Sequence, residues 1–238
     1  MYRIFASSSF FFLQAVGCMV AMLAGSAAIA QQPANECGQL RSPGQYGPYD
    51  FRTGGDYLPR VLTTHFTPVM EALIRESGQA PPATDIDYTL RAIPNMHRAL
   101  LAMMKAGDRE KTDKPNGSRY TVECWLKRAV LFSPDDSLVR MIYSTYLNGK
   151  GRVPEANAQL DLASHHARDN GFTHFNVGLH YFELKNYDKA LAEAHKAISL
   201  EWPDTMLRDQ LKAVGKWSEP ADPAVTSADG NSSQTADK

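Results

Sequence analysis

The sequence predicts an all-α fold of stacked helix–turn–helix units, and three observations carry that prediction. First, the chain resembles itself at an offset of 34 residues: Ser144 falls on Gly178, Leu147 on Tyr181, Ala156 on Ala190 and Ala163 on Ala197. Recurrence at that length marks a repeated supersecondary unit. Second, each copy carries its own start and stop signals. Third, small residues recur where two antiparallel helices must approach most closely (Gly178, Ala190 and Ala197), flanked by the bulk of Phe175, Tyr181, Leu191 and Ile198. One such hairpin cannot bury its own faces, so each is expected to stack on its neighbour.

In chain order, residues 1–30 read as a targeting segment. Arg3 is the positive n-region, 10–25 is the apolar run, and Ala28-Ile29-Ala30 is an A-x-A cleavage signal, so cleavage is expected after Ala30. The alternative is retention of 10–30 as an anchor, long enough to span a bilayer. Cleavage places the mature chain in a periplasmic or secreted setting, with no later stretch apolar enough to cross a membrane. Residues 31–66 read as an extended arm rich in Gly, Pro, Tyr and Asp, with Tyr46, Tyr49 and Phe51 packing along the helices. Two cysteines remain in the mature chain, Cys37 and Cys124, and an oxidising compartment favours their joining as a disulfide. Two free thiols or a metal site are the competing readings.

The helical domain is predicted over 67–217. Thr67-Pro68 starts a helix through VMEALIRES, and GQAPPATD is a loop. PNMHRALLAMMKAG and TVECWLKRAVLFSPDD form a degenerate helical pair over about 94–136, separated by the inserted DREKTDKPNGS. The next unit, 137–170, starts at Asp135-Asp136, turns at NGKGR, places Pro154 at the first position of its second helix and ends at Asn170-Gly171. The last unit, 171–204, turns at KNY, is capped by Asp188 and closes at Trp202-Pro203. Leu207, Leu211 and Val214 give an amphipathic capping helix over 204–217. Residues 218–238 are polar and proline-dotted, the composition of a disordered tail.

Phe175, Gly178, Tyr181, Ala190, Ala197 and Pro203, with Leu147, Ala156, Leu160 and Ala163 in the earlier copy, resemble the tetratricopeptide repeat. Ser144 stands where that family prefers glycine. CGQL, YGPYDFR, HFTPVMEAL, DIDYTLRAIPNMHRALLAM and LRDQLKAVGKW resemble a narrower group of exported bacterial proteins with such repeats. The resemblance implies the extent of the domain and no reaction. It also implies a short α-solenoid whose first helices line a concave surface for extended or helical peptides. Carried over by position, the groove residues are Met141, Thr145 and Asn148, then Asn176, Leu179, Phe182 and Glu183. Asn176 matches an asparagine that often bonds a ligand backbone in the family; local capping is the alternative. Met141 and Ile142 replace the cations that a carboxylate clamp needs, so a mostly apolar segment suits the groove.

The remaining chemistry points away from catalysis. The chain holds 25 Lys and Arg against 26 Asp and Glu, without the clustered excess that tracks phosphates, so no nucleic-acid partner is expected. His165-His166, His174, His180 and His195 raise a metal reading, yet no HExxH or Cys–His spacing supports it. Serines lack a nucleophile context, there is no P-loop, and Asp85 and Asp87 read as helix-start or arm contacts. Met96, Leu100, Met103 and Met104 are core at helical spacing. The expectation is a non-catalytic adaptor without cofactor or metal, binding a protein or peptide in the bacterial cell envelope. The alternative is a metal- or redox-responsive protein using the histidines or the Cys37/Cys124 pair.

Overall fold

Short polar side chains set the helix starts. Asp136 Oδ1 accepts from the backbone N–H groups of Leu138 and Val139 at 3.1 and 3.2 Å. Thr121 Oγ1 accepts from Cys124 N at 3.2 Å, and Asn170 Oδ1 from Thr173 N at 2.9 Å. Each satisfies a donor that the first turn leaves unpaired, worth about 1 kcal/mol.

The computed structural model describes residues 37–74 and 79–220. The targeting segment 1–30, its cleavage point after Ala30, residues 31–36 of the arm and tail residues 221–238 lie outside the described residues. Among those described there are ten α-helices and no strand: α1 Tyr57–His65, α2 Pro68–Glu71, α3 Pro82–Ala92, α4 His97–Glu110, α5 Val122–Phe132, α6 Ser137–Gly149, α7 Val153–Ala167, α8 Gly171–Glu183, α9 Tyr187–Ser199 and α10 Met206–Ala213. None of these is long and apolar enough to cross a membrane.

Helix pairing follows the small residues. The most extensive contacts join α6 to α7 and α8 to α9. Ser137 at the start of α6 donates to Ala163 O near the end of α7, which fixes that pair as antiparallel. Ala156, Ala163, Ala190 and Ala197 are all buried in these seams, as is Ser144. One core gathers Ile86, Leu90, Leu100, Trp125, Ile142 and Leu147. A second gathers Leu160, Phe175, Tyr181, Leu207 and Leu211.

The N-terminal half differs from its sequence reading. Residues 57–65, expected in the extended arm, form α1, with Val61 buried. Residues 82–92, partly read as loop, form α3, which packs on α4. Pro82 occupies the first turn, where a proline costs no hydrogen bond, and Ala83, Ile86 and Leu90 share the buried face. Of the helix expected from Thr67, the described residues form one turn, α2, and Leu73 then takes a left-handed φ of 57°; residues 75–77 of that expected helix lie outside the described residues.

The boundary between α7 and α8 also moves. The expected stop at Asn170-Gly171 falls instead at Arg168, whose φ is 51°. Asn170 caps α8 and Gly171 is its first residue. A Cβ on Gly171 would sit 3.1 Å from Trp202 Cβ and 3.2 Å from Leu200 Cβ, so glycine serves close packing there. α9 starts at Tyr187, placing Asp188 inside its first turn, and α10 is shorter than 204–217. Ser218, the first residue of the expected tail, accepts a hydrogen bond from His195 Nε2 at 2.8 Å.

Residues 37–53 form a strap across the first helices. Cys37 and Cys124 are disulfide-bonded, with Cα atoms 5.0 Å apart. Arg128 is buried beside them and donates through Nη1 to the carbonyls of Cys37, Gly38 and Gln39 at 2.8, 3.3 and 2.8 Å. Tyr120 and Trp125 face its guanidinium, and burial lowers its pKa. Further along, Tyr49 N donates to Ala92 O and Gln45 Nε2 to Arg91 O, so the strap follows the turn between α3 and α4.

Candidate functional site

Alternate helices form one row. α4 contacts α6, α6 contacts α8, and α8 contacts α10, while no comparable contact links α5, α7 and α9 to one another. When one row touches and the other splays, the touching row is the inner one. The predicted groove residues lie on two helices of this row, and the structure treats them differently.

Met141 is only 4% exposed and packs with Leu160 and Phe175, so it does not line the surface as expected. Thr145 is exposed, with its hydroxyl donating back to Met141 O at 3.2 Å. Asn148 is half-buried. Asn176 Nδ2 donates to Phe172 O, one turn back in its own helix, at 2.7 Å; this is the local alternative rather than an amide held open. Leu179, Phe182 and Glu183 do come together. With Met206 and Gln210 of α10 they line a hollow of about 420 Å³. A second hollow, of about 400 Å³, lies between Met104 and Asp108 of α4, Tyr146 of α6 and Lys150 just past the end of α6. Lys150 there pairs with Asp113 of the inserted loop at 2.7 Å.

Sequence reasoning missed three residues of this row. Leu138, Phe172 and Met206 are 43%, 54% and 45% exposed. They are spaced by 34 residues, at the starts of α6, α8 and α10. The 34-residue period that located the seams was the signal that could have found this apolar series. Phe172 is half-sheltered by Trp202, with ring centroids 5.0 Å apart.

Ionisable clusters elsewhere are knitted into the fold. Fully buried Asn95 donates to Asp50 Oδ1 at 2.7 Å and Asp136 Oδ2 at 3.2 Å, and accepts from Phe51 N at 2.9 Å. His97 Nε2 lies 3.0 Å from Asp136 Oδ2. Arg52 bridges Asp50 and Asp135 and holds the Asp50 carboxyl well below the usual range. Burial opposes ionisation of Asp136, but His97, Val139 N–H and Asn95 outweigh it, so its pKa is also lowered.

The histidines do not assemble a metal centre. Among the described residues no group of three His, Cys, Asp or Glu could hold a metal ion. His174 is buried, with Nδ1 2.7 Å from Glu193 Oε2 and Nε2 donating to Arg168 O at 2.7 Å. Ser164 donates to the same Glu193 carboxylate that meets His174, so the three side chains form one hydrogen-bonded cluster. His180 faces Glu183, burial lowering its pKa, and His195 bonds Ser218. His165 and His166 meet edge to face, 5.1 Å apart. No family model, curated protein or solved structure matches the chain.

Proposed function

We propose that the chain is a non-catalytic adaptor of tetratricopeptide type that binds a mostly apolar segment of a protein partner along the inner row. The observation that carries this reading is the exposed series Leu138, Phe172 and Met206 on successive helices of that row. Isolated exposed apolar residues are ordinary; a series at the repeat period is not explained by folding, because the seams beside it are already buried. The Leu179–Phe182–Met206 hollow supplies an anchor pocket at one end, and Glu183 supplies a polar rim. Leu179, Phe182, Tyr187 and Met206 give the hollow its apolar side, and Lys185 joins Glu183 at its charged rim.

The exported, cell-envelope setting belongs to the same proposal. It is supported by the targeting pattern in 1–30 and by the disulfide, which persists in oxidising compartments.

The test is a comparison of two baits. Wild-type protein and a Leu179→Asp/Met206→Asp variant are immobilised and exposed to an envelope extract. The proposal expects a specific partner on the first bait and its loss from the second, with both baits equally folded. Equal recovery removes the inner row from the account.

A further inference from the structure

On elements other than the inner row, His65 stands at the end of α1 and lines a hollow of about 240 Å³. The other walls are Tyr46 of the strap, Arg60, Val61 and Thr64 of α1, and Tyr88 of α3. Its Nδ1–H donates to Asp85 Oδ1 at 2.8 Å. Tyr88 stacks on the imidazole, with ring centroids 3.8 Å apart and planes inclined by 29°. Thr89 Oγ1 fixes the backbone behind the pair, donating to Asp85 O at 2.8 Å and to His65 O at 3.4 Å. A carboxylate on one ring nitrogen sets the tautomer and leaves the other nitrogen for whatever enters the site. Among the described residues His65 Nε2 has no hydrogen-bond partner and Arg60 no ion pair, although both belong to the wall of one hollow.

We infer that this hollow is a binding site for a small aromatic carboxylate. Its volume lies below the ~300–1,000 Å³ of sites for drug-sized ligands, which limits the occupant to about one ring and its substituent. Tyr46 and Tyr88 offer aromatic surface and buried Val61 an apolar floor. Among the described residues no acid pairs with the Arg60 guanidinium, and guanidinium binds carboxylate through two parallel hydrogen bonds. His65 adds a second donor when its imidazole is protonated, and Thr64 adds a hydroxyl. Asp85 compensates the charge on His65, and Arg91, 5.2 Å from the Tyr88 ring, is already held by Asp87. With the imidazole protonated, Asp85 balances His65 and Arg60 leaves the hollow one positive charge; with the imidazole neutral, Asp85 balances Arg60. A metal ion is a poor occupant, since only one uncommitted imidazole nitrogen is available where three or four ligands are needed.

The test follows the histidine side-chain resonances of the folded protein during separate titrations with benzoate, acetate and inorganic phosphate. Benzoate is expected to move the His65 signals saturably while leaving those of buried His174 in place. Acetate lacks the ring and phosphate its stacking face, so each is expected to bind about tenfold more weakly than benzoate. Arg60→Gln, at an exposed position that does not threaten the fold, is expected to weaken benzoate about tenfold. The inference is overturned if benzoate gives no saturable shift or if acetate or phosphate matches it. It is also overturned if Arg60→Gln leaves the affinity unchanged. None of these results bears on the inner row, which is formed by α4, α6, α8 and α10.

Discussion

Gly178 on α8 lies directly against Leu207 on α10. A methyl group built on Gly178 would overlap Leu207 Cδ2 and approach Glu193 Cβ to 3.1 Å. Leu207 is itself buried and occupies the space that a side chain at position 178 would take. Gly178→Ala is therefore expected to destabilise the protein. Overpacking costs about 1–3 kcal/mol and exceeds the roughly 1 kcal/mol that alanine gains over glycine in a helix. Urea unfolding checks this; a variant as stable as wild type would show that α10 tolerates displacement.

The start of the strap is fastened twice, by the disulfide and by Arg128. The Cys37–Cys124 link spans 87 residues. In the chain-entropy model a loop of that size is worth about 4–5 kcal/mol, so Cys37→Ser/Cys124→Ser is expected to lose most of that. Arg128→Met removes the donor to three strap carbonyls and is expected to cost less in the cysteine-free background than in wild type. Additive losses in a double-mutant cycle would mean that the two fastenings hold separate structures.

Acid should loosen the junction around Asn95. Asp50 and Asp136 both have carboxyl pKa values depressed in the fold, so their contribution to stability is complete above the unfolded-state value and is lost as pH falls through the folded one. Stability is expected to decline from about pH 4 downward. Asp50→Asn is expected to lower stability at neutral pH and to flatten this acid limb. Unchanged pH dependence in Asp50→Asn would remove that carboxylate from the linkage.

The exposed face of the inner row should be dispensable for folding. Glu183 and Met206 are exposed and Leu179 half-buried, and surface changes away from special features usually stay within about 0.5 kcal/mol. Met206→Ser is expected to shift the urea midpoint little while weakening partner binding. A large stability loss would reassign Met206 to the core.

The extent to which this fold was legible varied with the locality of the signal. Period, caps and small residues are local, so α6 to α9 could be read within a few residues. α1 and α3 were harder because Pro59, Pro81 and Pro82 look like loop signals until a neighbouring helix buries Val61, Ile86 and Leu90. The same limit applied to sites. Asn176 was expected to offer its amide to a ligand backbone, but that amide is taken up by Phe172 O, a choice made by side-chain rotamer. Met141 is buried because α7 and α8 close over it, which spacing on α6 alone does not reveal. The pairing of His65 with Asp85 joins residues from separate helices with no shared motif.

The most direct test of the adaptor reading places a photo-crosslinking residue at one position at a time and compares helix rows. Positions 138, 172 and 206 sample the inner row, while Leu131 on α5, 60% exposed, and Ile198 on α9, 41% exposed, sample comparable apolar surface on the other row. The account predicts one partner crosslinked from the first three positions and not from 131 or 198. Equal labelling from both rows, or labelling from 131 and 198 alone, would contradict it.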